Sequence, residues 1–169
     1  MKKLIIILII ALFTSGCGMC NLDNFITPDD TEFLALVEEL YYPEKITEYM
    51  RDNFEFEAHY FKTLSPYELY IYKKGDCNDS SNFVAFILNY HKYEVYQVYI
   101  CFKGTFLSHV ITVIKDEGKY NYSSSFDYFN VQVKTIKECV EDYIDYYSMN
   151  LKSFTIYDYN MNIIEILNK

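Results

Sequence analysis

The hydrophobic pattern divides the chain into a leader, a short aperiodic stretch and one folded segment. Ten uninterrupted apolar residues, Leu4 to Phe13, follow Lys2 and Lys3 and give way to Thr14, Ser15 and Gly16. That order, basic then apolar then small, predicts a signal peptide over residues 1–16. As a helix the apolar run rises about 15 Å, against a hydrocarbon core of roughly 30 Å, so a permanent membrane span is disfavoured. Residues 17–28 have no periodicity and predict a tether; residues 29–169 form one domain.

Within the domain, Asp29 and Asp30 open a helical pattern of Phe33, Leu34, Leu36, Val37, Leu40 and Tyr41, which Pro43 is expected to stop. A short second helix turns Ile46, Tyr49 and Met50 inward. Residues 54–74 are mixed and aromatic, with Ser65-Pro66 as a turn or helix start. Asp76 followed by Asp79 has the spacing of a capping box and opens a buried helix through Phe83–Leu88, ending near Tyr90. Glu94–Lys103, Phe106–Lys115 and Lys119–Ser125 read as strands joined by short turns, an antiparallel meander. Thr135 with Glu138 is a second capping box, heading a helix with Ile136, Val140, Tyr143, Ile144 and Tyr147 on one face. A strand pair, Lys152–Asp158 and Met161–Leu167, closes the domain. The segregation of helices and strands predicts an α+β fold with helices on one side of a sheet.

Composition agrees with a packed domain. Hydrophobic residues make up 51% and charged residues 23% of the 169. Nineteen Tyr and thirteen Phe without a Trp predict an aromatic core whose phenols need partners or water. The formal charge of -9, with no basic cluster, excludes a nucleic-acid partner. Three dispersed His, with no CxxC or HxxxH spacing, give no reason to expect a metal or other cofactor.

Thr14-Ser15-Gly16-Cys17 resembles the lipobox of bacterial lipoproteins, with Thr14 in place of the commoner Leu. The resemblance implies that Cys17 takes a diacylglycerol, becomes the new N-terminus and, with a fatty acid such as palmitate, anchors the exported chain to the cell or outer membrane. Cys20, preceded by Met19, suits the cleavage site less well.

The chemistry centres on two residues. Cys77, in Gly75-Asp76-Cys77-Asn78-Asp79, stands in the first turn of its helix, where backbone N–H groups and the helix dipole favour a thiolate. Its own N–H can serve as half of an oxyanion hole. His109 lies mid-strand, 32 residues further on, in a segment apolar on both faces: His109, Ile111 and Val113 on one, Val110, Thr112 and Ile114 on the other. A basic ring in such a strand calls for a specific partner, such as a thiol.

Gly-Asp-Cys opening a helix, a strand carrying His109, and Gly118-Lys119-Tyr120 leading the next strand resemble the transglutaminase-like branch of the papain-type cysteine enzymes, over about residues 67–129. The resemblance implies a papain-like α+β core, with the Cys77 helix packed on an antiparallel sheet. It also implies Cys77 as nucleophile on an amide carbonyl, His109 as base and then acid, and a third residue orienting the ring. That third residue should follow Tyr120 by about four positions, where Ser124 or Ser125 replaces the usual Asp or Asn; Asp127 is a second choice. Ser accepts an imidazole hydrogen bond but does not stabilise the cation as a carboxylate does. The family's oxyanion side chain corresponds to Tyr60 or Tyr67.

Taken singly, Cys77 is also readable as a small buried residue and His109 as a satisfied core histidine. His59 and His91 read as surface residues, His91 just past a helix end. Cys101 and Cys139 read as core residues, able to pair in an oxidising compartment. Three functions follow: thiol-dependent amide hydrolysis or acyl transfer on peptides or proteins of the cell envelope; an inactive transglutaminase-like binding lipoprotein; or a papain-like cell-wall peptidase.

Overall fold

The computed structural model describes residues 27–58 and 62–168. The leader, Cys17, most of the tether, His59 and Tyr60 lie outside these.

The first helix, α1 (Thr31–Glu39), is capped by Asp30, whose Oδ1 accepts from the N–H groups of Glu32 and Phe33, each at 3.0 Å. It buries Phe33 and Val37. The helix ends at Leu40, before the expected stop, because Pro43 begins the next helix rather than ending this one. In α2 (Pro43–Asn53) the proline occupies the first turn, where its missing N–H has no bond to lose. Ile46 and Met50 are fully buried, Tyr49 partly so.

The mixed stretch that follows resolves into β1 (Glu55–Phe56), α3 (Pro66–Tyr72) and β2 (Lys74–Gly75), with β1 and β2 forming a short parallel pair. Ser65 caps α3 in a capping box with Glu68. Next comes α4 (Cys77–Tyr90), with the predicted Asp76–Asp79 capping box and with residues Asn78 to Leu88 all buried. His91 closes this helix, and its Nε2 lies 2.8 Å from the Val37 carbonyl oxygen, so it ties α4 to α1 instead of standing free at the surface.

The sheet has six antiparallel strands in the order β6-β5-β4-β3-β7-β8. They are β3 (Glu94–Phe102), β4 (Ser108–Asp116), β5 (Lys119–Ser124), β6 (Asp127–Val133), β7 (Leu151–Asp158) and β8 (Ile163–Asn168). The meander runs from β3 to β6, α5 (Ile136–Tyr146) crosses back, and β7 joins the free side of β3. Helices cover both faces, which corrects the expectation of a one-sided helical layer. Thr112 of β4 bonds to Ser81 of α4, and Gln97 of β3 donates to Asn82 of α4 at 2.9 Å. The opposite face, with Val98, Ile100, Ile111 and Val113, packs on Cys139, Val140 and Tyr143 of α5. The reason is visible in β4, which is apolar on both sides and needs cover on both.

The start of α4 is set by one buried carboxylate. Asp79 Oδ1 accepts from the Leu64 N–H at 2.6 Å and Oδ2 accepts from the Asp76 N–H at 2.8 Å. A Cβ at Gly75 would lie 2.6 Å from Asp79 Oδ2 and 2.8 Å from Leu69 Cδ1, so only glycine fits against this carboxylate. Gly75→Ala is expected to destabilise the domain by about 1–3 kcal/mol through overpacking. Asp79→Ala should cost about as much or more by leaving two buried donors unpaired. Urea unfolding of both variants checks this; stability within about 0.5 kcal/mol of the parent would contradict it.

Candidate active site

Asp76 is extended, and its Oδ1 accepts from the N–H groups of Asn78 at 2.9 Å and Asp79 at 3.4 Å. Cys77 stands at the first helical position, half-buried and outside any disulfide. The cap fixes the backbone from which the sulfur projects.

His109 is the second residue of β4, paired with Ile100 of β3. Its Nε2 lies 2.9 Å from Ser124 Oγ, at the end of β5. Of the three candidates for the orienting position, Ser124 is therefore the one in contact with the ring. Ser125 is held in the β5–β6 turn with φ 52°. Asp127 points to solvent, where Arg51 Nη1 donates to its Oδ1 at 3.0 Å.

Two residues join this group that the sequence pattern did not single out for chemistry. Tyr143 of α5 stacks on the imidazole, ring centroids 5.1 Å apart and planes within 7°. Tyr147, which follows the last residue of α5, lies with its ring centroid 4.8 Å from that of Tyr143. The signal that could have found them is the face of α5: Val140, Tyr143 and Tyr147 follow one another at helical spacing.

His109 is half-buried. Burial pushes its pKa down to about 4, and the charge of Asp76, one residue before Cys77, pulls weakly the other way. The imidazole is neutral at pH 7. Burial likewise raises Tyr143, and the neighbouring Tyr147 and Cys77 add to the rise. Ser124 and Tyr143 thus both meet the His109 ring, one by a hydrogen bond and one by stacking.

The remaining candidates are placed elsewhere. Tyr67 donates its hydroxyl to Asp30 Oδ2 at 2.9 Å and packs edge-on against Phe33, so its phenol is committed to the α1–α3 contact. Cys101 and Cys139 are free thiols, Cys101 half-buried and Cys139 fully buried in the α5-side core, where desolvation pushes its pKa up to about 12. Among the described residues no group of three or more His, Cys, Asp or Glu stands close enough to hold a metal.

No protein-family model matches this sequence, and no curated protein matches it. Among solved structures, the fold is similar to Legionella pneumophila LapG. The EGTA-treated form aligns with a TM-score of 0.51 at 14% identity, over 76% of this chain and 74% of that one. Two further LapG structures, one of them calcium-bound, align at 0.47 and 17% identity, over 59% and 60% of this chain. The chain covers 65% and 66% of those two, slightly under two thirds of their length. At such identities the likeness is one of fold. With five helices and a six-stranded antiparallel sheet among the described residues, the chain has a transglutaminase-like α+β fold.

Proposed function

We propose that the chain is an exported lipoprotein, anchored through lipid on Cys17, whose transglutaminase-like domain carries out thiol-dependent amide hydrolysis or acyl transfer on peptides or proteins of the cell envelope. The observation that carries the reading is the His109–Ser124 hydrogen bond at 2.9 Å, together with the capped helix start that bears Cys77. In this reaction the Cys77 sulfur attacks the amide carbonyl, His109 takes the thiol proton and hands it to the leaving amine, and water or an acceptor amine then releases the acyl group. The Cys77 N–H supports the developing oxyanion.

A second reading is favoured by one specific observation. The imidazole is stacked on Tyr143 and faces a hydroxyl instead of a carboxylate. An imidazolium formed during turnover gains little stabilisation there. On this reading the domain is a binding module that retains the geometry of an enzyme.

Alkylation with iodoacetamide separates the two. An active site requires Cys77 to react faster than Cys101 and Cys139 near pH 7, and His109→Ala to slow Cys77 by on the order of tenfold or more. A Cys77 as slow as buried Cys139, or indifferent to His109→Ala, sinks the enzyme reading. The anchor is checked in cells: labelled palmitate should enter the chain and be lost in Cys17→Ser, and undiminished labelling of that variant contradicts it.

The neutral imidazole also has a thermodynamic consequence. Unfolded, it takes up a proton near pH 6.5, whereas folded His109 resists until about pH 4. Between these values the unfolded chain binds the extra proton, so stability falls as pH drops. The loss reaches about 2 kcal/mol by pH 5 and about 3 kcal/mol below pH 4. Urea unfolding at pH 7 and pH 5 should show this loss in the parent and a smaller one in His109→Gln; equal losses in the two would contradict a buried neutral His109.

A further inference from the structure

The three most exposed large apolar side chains among the described residues, Phe106, Leu107 and Tyr146, stand at the end of the sheet that carries His109; they are 107%, 67% and 66% exposed. Phe106 and Leu107 lie in the β3–β4 turn, three and two residues before His109, so their Cα atoms are within about 11 and 7 Å of its own. Tyr146 is followed by Tyr147, whose ring meets Tyr143, the residue stacked on the imidazole. The two exposed groups are tied together: the Lys103 N–H donates to the Asn150 carbonyl at 2.7 Å, joining the start of the turn to the segment after Tyr147.

A single exposed apolar residue calls for no explanation, but a cluster of them beside a candidate site marks a binding surface. The turn is shaped in advance: Gly104 takes φ 75° and the Leu107 N–H donates to Thr105 Oγ1 at 3.0 Å, which lowers the cost of ordering it on binding. Its place decides what it binds. His109 hands its proton to the departing amine, so the groups around His109 border the amine half of the scissile bond and not the acyl half. A lipid bilayer is a poorer occupant, because anionic headgroups repel a chain of formal charge -9.

We infer that Phe106 and Leu107, with the exposed Tyr146–Tyr147 pair beside them, determine specificity by receiving an apolar side chain on the amine component of the scissile amide. The same surface serves an amine that leaves in hydrolysis and one that enters as acyl acceptor. In the second case the amine nitrogen attacks the thioester carbonyl, a C–N bond forms as the C–S bond breaks, and His109 moves the amine proton to the departing Cys77 sulfur. The inference rests on the reading of Cys77 and His109 as nucleophile and base.

The test uses the full chain in vesicles of phosphatidylethanolamine and phosphatidylglycerol, acetylated on Cys77 by p-nitrophenyl acetate and offered phenylalaninamide and glycinamide in equal amounts. N-acetylphenylalaninamide should exceed N-acetylglycinamide by on the order of tenfold, after correction for the same amines reacting with the ester in buffer. With Phe106→Ser and Leu107→Ser combined, at exposed positions outside the core, that excess should fall by about fivefold or more. Equal yields in the parent, or an excess that survives the double substitution, overturns the inference. A binding readout stands apart from turnover. Phe106→Trp gives a chain without Trp a single indole, whose emission should shift with phenylalaninamide and not with glycinamide. That shift beside a Cys77 inert to ester and iodoacetamide sinks the enzyme reading alone; no shift beside a reactive Cys77 sinks the apolar subsite alone. Quenching of the indole by brominated lipid chains assigns the turn to the bilayer and likewise overturns the inference.

Discussion

The carboxylate of Asp79 is the constraint on which the rest of the site depends. Fully buried, it accepts the backbone N–H of Leu64 and of Asp76, and it fills the space that the absent side chain of Gly75 leaves open. These bonds join the end of the loop before α3, the strand β2 and the first turn of α4 at a single point. Cys77 therefore has no freedom to slide: the residue before it is the N-cap, and the residue two after it is the anchor. A buried charge tolerates this position because each oxygen has a donor at a helix start, where the dipole also favours it.

From that point α4 lies along the sheet, and its register is polar. Ser81 meets Thr112 and Asn82 meets Gln97, all four buried, so one turn of the helix is keyed to β3 and β4 by side-chain hydrogen bonds. Apolar packing alone would allow such a helix to shift; unsatisfied polar groups make a shift costly. On the other face α5 brings Tyr143 against His109. The candidate site is thus assembled from both helical layers, with the ends of β4 and β5 between them.

Elements announced by local chemistry were legible in the sequence. The capping boxes at Asp76 and Thr135 fall where the spacing placed them, and β3, β4 and β5 match their alternation to within a few residues. The strand β6 was missed because its hairpin turns on Ser125-Phe126, with Ser125 at φ 52° where glycine or asparagine would have signalled the turn. Pro43, expected to stop a helix, starts one, since proline fits the first turn of a helix as well as it ends one. Cys77 and His109 could be singled out because each breaks the pattern around it. The spacing of Tyr143 and Tyr147 places them on one face of α5, but in a chain of nineteen Tyr nothing in it marks them for chemistry.

On the proposed reading, His109 is neutral and bonded to the Ser124 hydroxyl, so proton transfer and not a standing ion pair activates Cys77. The most direct measurement of that claim is acyl transfer from an activated ester, p-nitrophenyl acetate, followed by intact-mass and peptide analysis of the chain. The account predicts a burst of p-nitrophenol matched by acetyl on Cys77, followed by steady turnover that His109→Ala abolishes. Acetyl spread evenly over Cys77, Cys101 and Cys139, or an acetyl-Cys77 that forms and never turns over, would contradict it.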